Sequence, residues 1–125
     1  MANTKKKPHK VHEWDRFDSP VMSIKDEDAS WWENMTIYKS SVIWDKDNTA
    51  GSPFVMFYNA KGQNPPEHRV AERIGMAVSD DMVNWKRYQG NPVLDHQRGI
   101  TGDAYIQKIG DIWVMFYFGA FWGDY

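Results

Sequence analysis

Several side chains that can bind hydroxyl groups stand beside short apolar runs of this chain. Asp103 has the clearest position, because it directly precedes the run that starts at Ala104. Carboxylates and amides hydrogen-bond hydroxyls, and an indole can stack on the flat face of a ring. The other candidates for such a binding surface are Lys39, Ser40, Asn59, Lys61, Glu72, Arg73 and Trp122.

Each main candidate also has a purely structural interpretation. Asp103 could bond nearby backbone N–H groups at the start of a strand. Glu72 and Arg73 could form an ion pair, and Trp122 could cover a core. We interpret five further tryptophans as packing residues: Trp31, Trp32, Trp44, Trp85 and Trp113. The four histidines, His9, His12, His68 and His96, lack the spacing of a metal site and are predicted to be surface residues.

The elements that must position these residues are predicted to be β-strands. Runs of β-branched and aromatic residues, separated by turn-forming residues, predict hairpins. No stretch predicts a helix of ten or more residues, although Asp26–Met35 could hold one short helical turn. The predicted strands are Ser41–Asp45, Phe54–Ala60, a half-buried Arg73–Ser79, a short WKRY, YIQKIG and DIWVMFYFGAF.

An internal repeat organises these strands. The tetrapeptide VMFY occurs at Val55–Tyr58 and again at Val114–Tyr117. Aligning the two copies and shortening the first hairpin loop pairs Ile43 with Ile106, Ser40 with Asp103 and Lys39 with Gly102. SPVM precedes the first unit as NPVL precedes the second. The repeat predicts consecutive four-stranded antiparallel sheets of propeller-blade size, with a single antiparallel sandwich as the alternative.

Blade geometry predicts which candidates meet. Neighbouring strands of a blade run in opposite directions. The start of the innermost strand, the end of the second and the start of the third therefore share one end of the blade. This places Lys39–Ser40, Asn59–Lys61, Glu72–Arg73, Gly102–Asp103 and Phe118–Trp122 at one end.

Three stretches resemble the five-bladed β-propeller glycosidases of glycoside hydrolase families 43, 32 and 130. They are the run Ala77–Trp85, the NPVL turn and an Asp before an innermost strand. The resemblance implies an all-β fold of propeller blades, a carbohydrate partner and hydrolysis of glycosidic bonds. In the resembling family-43 enzymes, blade one supplies a base Asp, blade two an orienting Asp and blade three an acid Glu.

Only one of these three roles falls on a matching residue of this chain. Asp103 matches the blade-two Asp, whereas the blade-one position falls on Ser40, which cannot act as a carboxylate base. The blade-three position lies beyond Tyr125. A non-catalytic carbohydrate-binding propeller and an interaction scaffold therefore remain as alternatives to a glycosidase.

Length sets the expected domain organisation. Residues 1–12 are predicted to form a disordered basic tail, and residues 13–125 part of a propeller. Blade one is expected at about residues 36–94 and the start of blade two at about residues 100–125. We expect a truncated propeller, with the N-terminal part of a longer propeller and a protomer that assembles into a ring as the alternatives. Its exposed sheet edges are expected to allow self-association.

Composition excludes several classes of partner. The chain carries a net charge of −2, which gives no electrostatic case for nucleic acid or an anionic membrane. It has no Cys, so neither disulfides nor thiolate metal sites are expected. We expect no cofactor, although the sequence leaves a bound Ca²⁺ open. Without a recognisable secretory signal, the default expectation is a cytoplasmic protein.

Overall fold

A computed structural model describes residues 13–63, 71–96 and 99–121. These residues form antiparallel sheets with one turn of 3₁₀ helix at Trp31–Glu33, which confirms the predicted all-β class. The first sheet has the order β1-β2-β3-β4 and the second pairs β5 with β6. The strands are β1 Thr36–Trp44, β2 Phe54–Gly62, β3 Ala71–Ser79, β4 Lys86–Arg87, β5 Gly99–Ile109 and β6 Ile112–Phe121.

The two VMFY segments lie in the second strands of separate sheets, as predicted. The first belongs to β2, between β1 and β3, and the second belongs to β6, paired with β5. The turn between β5 and β6 has two residues, and the first of them, Gly110, has φ 59°. A glycine in this position suits the type II′ turns that close tight hairpins.

The first and third residues of each VMFY segment define what we call the front face of its sheet, and the second and fourth define the back face. The front face of the first sheet packs on the back face of the second. Their shared core contains Val55 and Phe57 from the first sheet and Ile106, Trp113 and Met115 from the second. The two sheets are therefore stacked face to face around an apolar core, as consecutive blades would be.

A segment at residues 19–33 covers the back face of the first sheet. Trp32 is buried there against Met56, Tyr58 and Ala77. The strand β3 was predicted to be half-buried, and this was wrong, because Trp32 covers its small-residue face. A Cβ at Gly75 would collide with the indole of Trp32 and would lie 2.7 Å from Cζ of Tyr58. Glycine is thus required for the close approach of the indole.

Buried charges attach this segment to β4. The Nε atom of Arg87 lies 2.5 Å from Oε1 of Glu33, an ion contact without the alignment of a hydrogen bond. Its Nη1 atom donates to Asp28 at 2.6 Å and to Asp26 at 3.0 Å. Tyr58 donates its O–H to Oε2 of Glu33 at 2.8 Å. The helical turn predicted within Asp26–Met35 is thus present and anchored by paired buried charges.

Both inner strands carry a β-bulge at the same place, and this changes the alignment of the repeat. In β1 the register shifts between Tyr38 and Ser41, and in β5 it shifts between Gly102 and Tyr105. The first residue of each bulge has a positive φ, 49° at Lys39 and 55° at Asp103. Lys39 is therefore the structural equivalent of Asp103.

The predicted pairing of Ser40 with Asp103 was wrong by one residue. Ile43 lies opposite Val55, on the front face, whereas Ile106 lies opposite Met115, on the back face. A shift of one residue exchanges the faces of a strand, so these two isoleucines are not equivalent either. Asp103 and Lys39 also lie inside their strands and do not open them, contrary to the prediction.

The basic tail predicted for residues 1–12 lies outside the described residues. Within residues 13–63, 71–96 and 99–121, no helix has the length and apolar character needed to cross a membrane.

Candidate functional site

Asp103 lies at one end of the interface between the two sheets and is held there by Lys39. The Nζ atom of Lys39 donates to both carboxylate oxygens, at 2.8 Å and 3.1 Å. Both side chains reach solvent, with 58% of Lys39 and 47% of Asp103 exposed. The hydrogen bond from Lys39, followed by one from Asn59, holds the pKa of Asp103 below its usual range. This carboxylate is thus ionised and accessible to a ligand.

The bulge determines where the side chain of Asp103 points. A bulge leaves one residue outside the ladder and re-aims its side chain. The left-handed backbone at Asp103 is uncommon for residues other than glycine, and Asp and Asn tolerate it better than most. Lys39, which lacks that tolerance, adopts the same conformation in the first sheet. Backbone strain of this kind is concentrated at functional sites.

Asn59 joins the two sheets beneath this carboxylate. It is completely buried near the end of β2. Its Nδ2 atom donates to Oδ1 of Asp103 at 2.9 Å and to Oε1 of Glu72 at 2.7 Å. Its Oδ1 atom accepts the backbone N–H of Asp103 at 2.8 Å. The amide therefore fixes both the carboxylate and the backbone of the bulge.

Glu72, Tyr38 and Lys61 complete the cluster. Tyr38 is hydrogen-bonded to Glu72, and burial, followed by that bond and the charges of Glu72 and Asp103, raises the pKa of Tyr38. The Nζ atom of Lys61 lies 5.6 Å from the centroid of the Tyr38 ring, at cation–π distance. The cluster thus combines two carboxylates, two ammonium groups, an amide and a phenol.

Two predicted members of the site lie elsewhere. Arg73 follows Glu72 in β3, so its side chain points to the opposite face of the sheet. There it lies 4.9 Å from the ring of Trp31, with its Nε atom 3.0 Å from Asp95 in an ion contact. The alternative of a Glu72–Arg73 ion pair is wrong for the same reason.

Ser40, the other displaced member, lines a cleft of about 290 Å³ together with Pro20, Met22 and Met56, beside the back face. Trp122 lies outside the described residues. The structure therefore brings together Lys39, Asn59, Lys61, Glu72 and Asp103, and leaves Arg73 and Ser40 outside the cluster.

Two participants were missed in the sequence. Tyr38 was overlooked because the innermost strand was expected to start near Ser41, whereas β1 begins at Thr36. Gly102 was aligned with Lys39 and placed at the same end as Asp103, but it was not expected to take part in the site. A Cβ on Gly102 would lie 2.6 Å from both Nδ2 of Asn59 and Oε1 of Glu72. A glycine directly before the candidate Asp was the available signal, since it permits a close approach of the backbone.

A second ion-pair cluster closes the opposite end of the interface. Lys108 of β5 donates to Asp45 at 2.7 Å and to Asp47 at 2.8 Å. The Asp45 carboxylate also accepts the backbone N–H groups of Asp47 and Thr49. The hydrogen bonds from Lys108 and then Thr49 hold the pKa of Asp45 well below its usual range. Asp45 is buried, with 1% of the residue exposed, which marks it as a structural group.

The described residues contain no group of three or more His, Asp or Glu side chains arranged to hold a metal ion.

Comparison with solved structures identifies the fold. A structure named "Glycoside hydrolase" superposes with a TM-score of 0.80 and is 59% identical, over 88% of this chain and 32% of that protein. The fold is glycoside hydrolase-like. A second structure, whose name describes a complex of BT0996 and RGII, has a TM-score of 0.79 and 59% identity, over 86% of this chain and 31% of that protein. The protein thus spans about a third of the length of these relatives. No protein-family model and no curated protein matches the chain.

Proposed function

We propose that this glycoside hydrolase-like protein acts on or binds a glycosidic substrate, and that the Asp103 cluster forms part of the sugar site. The observation that carries the proposal is the ionised Asp103 carboxylate, half exposed on a left-handed bulge at the end of the interface between two stacked sheets. Such a carboxylate can accept hydrogen bonds from sugar hydroxyls.

The finer assignment is to the five-bladed β-propeller glycosidases related to families 43, 32 and 130. The equivalent bulges on two stacked sheets support it, because the inner strands of blades converge on the axis of the propeller. The names of the two solved relatives support the carbohydrate chemistry. One is called a glycoside hydrolase, and the name of the other refers to RGII, a carbohydrate.

The chemistry available to Asp103 is that of an anion. Glycoside hydrolysis uses two carboxyl groups around an oxocarbenium-like transition state, one of which must donate a proton. Because Lys39 and Asn59 stabilise its ionised form, Asp103 is a poor proton donor. It is suited to orienting a hydroxyl or a catalytic partner. Glu72 is the second carboxyl group of the cluster.

A non-catalytic carbohydrate-binding protein is the second candidate. The observation that favours it is Lys39, which occupies the blade-one position equivalent to Asp103. In the resembling family-43 enzymes that position carries a base Asp, and an ammonium group cannot take that role while it is paired with Asp103.

The test combines binding with turnover. The protein would be incubated with a panel of oligosaccharides and with RGII, measuring new reducing ends and, by calorimetry, binding. The variant Asp103→Asn keeps a side chain that tolerates a positive φ, and it replaces the charged carboxylate by a neutral amide with one acceptor oxygen. We expect it to abolish binding or turnover with a nearly unchanged melting temperature, because exposed ion pairs contribute about 0–1 kcal/mol.

Asp47→Asn is the matched control, because Asp47 is also an exposed aspartate paired with a lysine, at the other end of the interface. It should leave binding and turnover unchanged. Binding without new reducing ends would favour the non-catalytic candidate. No response to any sugar, or intact binding in Asp103→Asn, would refute the site.

A further inference from the structure

Asn59 differs from the other polar residues of the cluster, because it has no exposure to a ligand. Its side chain is completely buried, whereas Asp103 and Lys39 reach solvent. Both contacts of its Nδ2 atom go to carboxylates, and these belong to different sheets: Glu72 in β3 and Asp103 in β5. An amide nitrogen has two hydrogens, so its donor capacity is fully used inside the protein.

This arrangement limits the distance between the two carboxylates. One nitrogen contacts an oxygen of each, so Oε1 of Glu72 and Oδ1 of Asp103 can be no further apart than the sum of 2.7 Å and 2.9 Å. Two ionised carboxylates this close repel each other, and a donor that hydrogen-bonds both offsets the repulsion. The same amide also holds the backbone N–H of Asp103, and with it the bulge that aims the carboxylate.

Gly102 makes room for this bridge. A Cβ there would lie 2.6 Å from Nδ2 of Asn59 and equally close to Oε1 of Glu72. Any side chain at this position would therefore displace the amide or the Glu72 carboxylate. Gly102 and Asn59 belong to different sheets, so the bridge depends on one residue from each.

The repeat shows that the bridge is specific to this end of the interface. Asn59 pairs with Tyr38, immediately before the bulge of β1. The corresponding pair in the second sheet is Gly102 with Phe118. The second sheet thus carries a phenylalanine where the first carries the bridging amide, so Asn59 is not a requirement of the repeated strand.

We propose that Asn59 is a positioning residue, which sets the separation of the Glu72 and Asp103 carboxylates, and that it requires glycine at position 102. It contacts no sugar; it acts through the two carboxylates. The functional part of this inference rests on the proposed carbohydrate site, but the positioning itself can be measured without any sugar.

The experiment is a pH titration of the side-chain carboxyl carbons by NMR, with two variants. Asn59→Leu replaces the amide with an apolar side chain of similar size. Gly102→Ala keeps Asn59 and acts from the other sheet. In both variants the pKa of Asp103 should rise towards the ordinary value for Asp, because a donor to its ionised form is lost or displaced.

Asn84→Leu provides a matched control. Asn84 donates its Nδ2 to Asp81 at 2.7 Å, in a turn remote from the cluster. Its replacement should raise the pKa of Asp81, which the hydrogen bonds from Asn84 hold low, and leave that of Asp103 unchanged. Should Asn59→Leu fail to fold, Gly102→Ala still tests the proposal.

Affinity for a sugar that the parent protein binds in the oligosaccharide panel gives the second measurement. Because small displacements of a binding group can cost up to about 100-fold, both variants should bind at least tenfold more weakly than the parent. If the parent binds no sugar, the proposed function fails while the titration still decides the positioning. A lower melting temperature with an unchanged pKa of Asp103 in both variants would overturn the proposal and leave Asn59 a structural residue.

Discussion

The two VMFY strands have the same side chains and the same place in their sheets, yet their front faces differ in burial. In the first sheet Val55 is 1% and Phe57 8% exposed, because the second sheet covers them. In the second sheet Phe116 is 62% exposed. The repeated sequence thus specifies a strand and its two faces, whereas burial depends on the sheet that packs against each face.

The back faces differ in chemistry as well as in burial. Tyr58 lies under Trp32 and donates to the buried Glu33. Its counterpart Tyr117 is about half exposed. The segment that covers the first sheet thus supplies a polar partner for Tyr58. The tyrosine of the motif therefore has a structural role in the first sheet, and its counterpart in the second sheet lacks this buried partner.

The largest expected effect tests the contrast between the front faces. Phe57→Ala should lower the free energy of unfolding by about 3–5 kcal/mol, because it removes a buried ring and leaves a cavity. Phe116→Ala should change it by less than about 0.5 kcal/mol, as for other exposed positions. Urea unfolding of both variants, followed by tryptophan fluorescence, measures the difference.

If Phe57→Ala and Phe116→Ala lowered the free energy of unfolding equally, another molecule would have to cover the front face of the second sheet. Self-association through that front face would then show as a mass that grows with concentration in light scattering. Phe116→Lys should abolish it by placing a charge in the contact. Tyr88→Lys, at an exposed aromatic residue outside the second sheet, is the control.

An intermediate effect tests the back faces. Tyr58→Phe removes one hydroxyl and deprives the buried Glu33 of a donor, which should cost about 1.5–3 kcal/mol. Tyr117→Phe should fall within about 0.5 kcal/mol of the parent. Thermal unfolding of the pair at one pH provides the comparison. Similar melting temperatures for the two variants would argue that the Tyr58–Glu33 bond is not retained in solution.

The smallest effect concerns the ion pairs at the end of the interface opposite Asp103. The pKa of folded Asp45 lies below the unfolded value of about 3.9. Its contribution to stability is therefore complete above that value and is lost as the pH falls towards the folded pKa. Below about pH 4 the urea midpoint of the parent protein should fall as the pH is lowered, and that of Asp45→Asn should fall less steeply. Asp111→Asn, in the exposed β5–β6 turn, should leave the decline unchanged.

Much of the fold could be predicted because its signals are local. The runs of β-branched and aromatic residues predicted the strands, and the VMFY repeat predicted two separate sheets. The meeting of Asp103 with Lys39, Asn59 and Glu72 followed from the alternating direction of strands. These predictions needed only periodicity and connectivity.

The errors arose where one residue decides the outcome. A β-bulge inserts a residue that amino-acid composition does not reveal. Aligning Ile43 with Ile106 by residue type therefore paired two residues that lie on opposite faces of their strands. Arg73 was assigned to the site as a neighbour of Glu72, although adjacent strand residues point to opposite faces. Covering of β3 by Trp32 could not be predicted, because it depends on a distant segment of the chain.

The ion pairs at the two ends of the sheet interface have opposite polarity. At one end the first sheet provides the cation Lys39 and the second the anion Asp103; at the other the first provides Asp45 and the second Lys108. If the second sheet docked upside down, Lys108 would face Lys39 and Asp103 would face Asp45. Like charges would then meet at both ends, so the charge pattern disfavours this inverted arrangement.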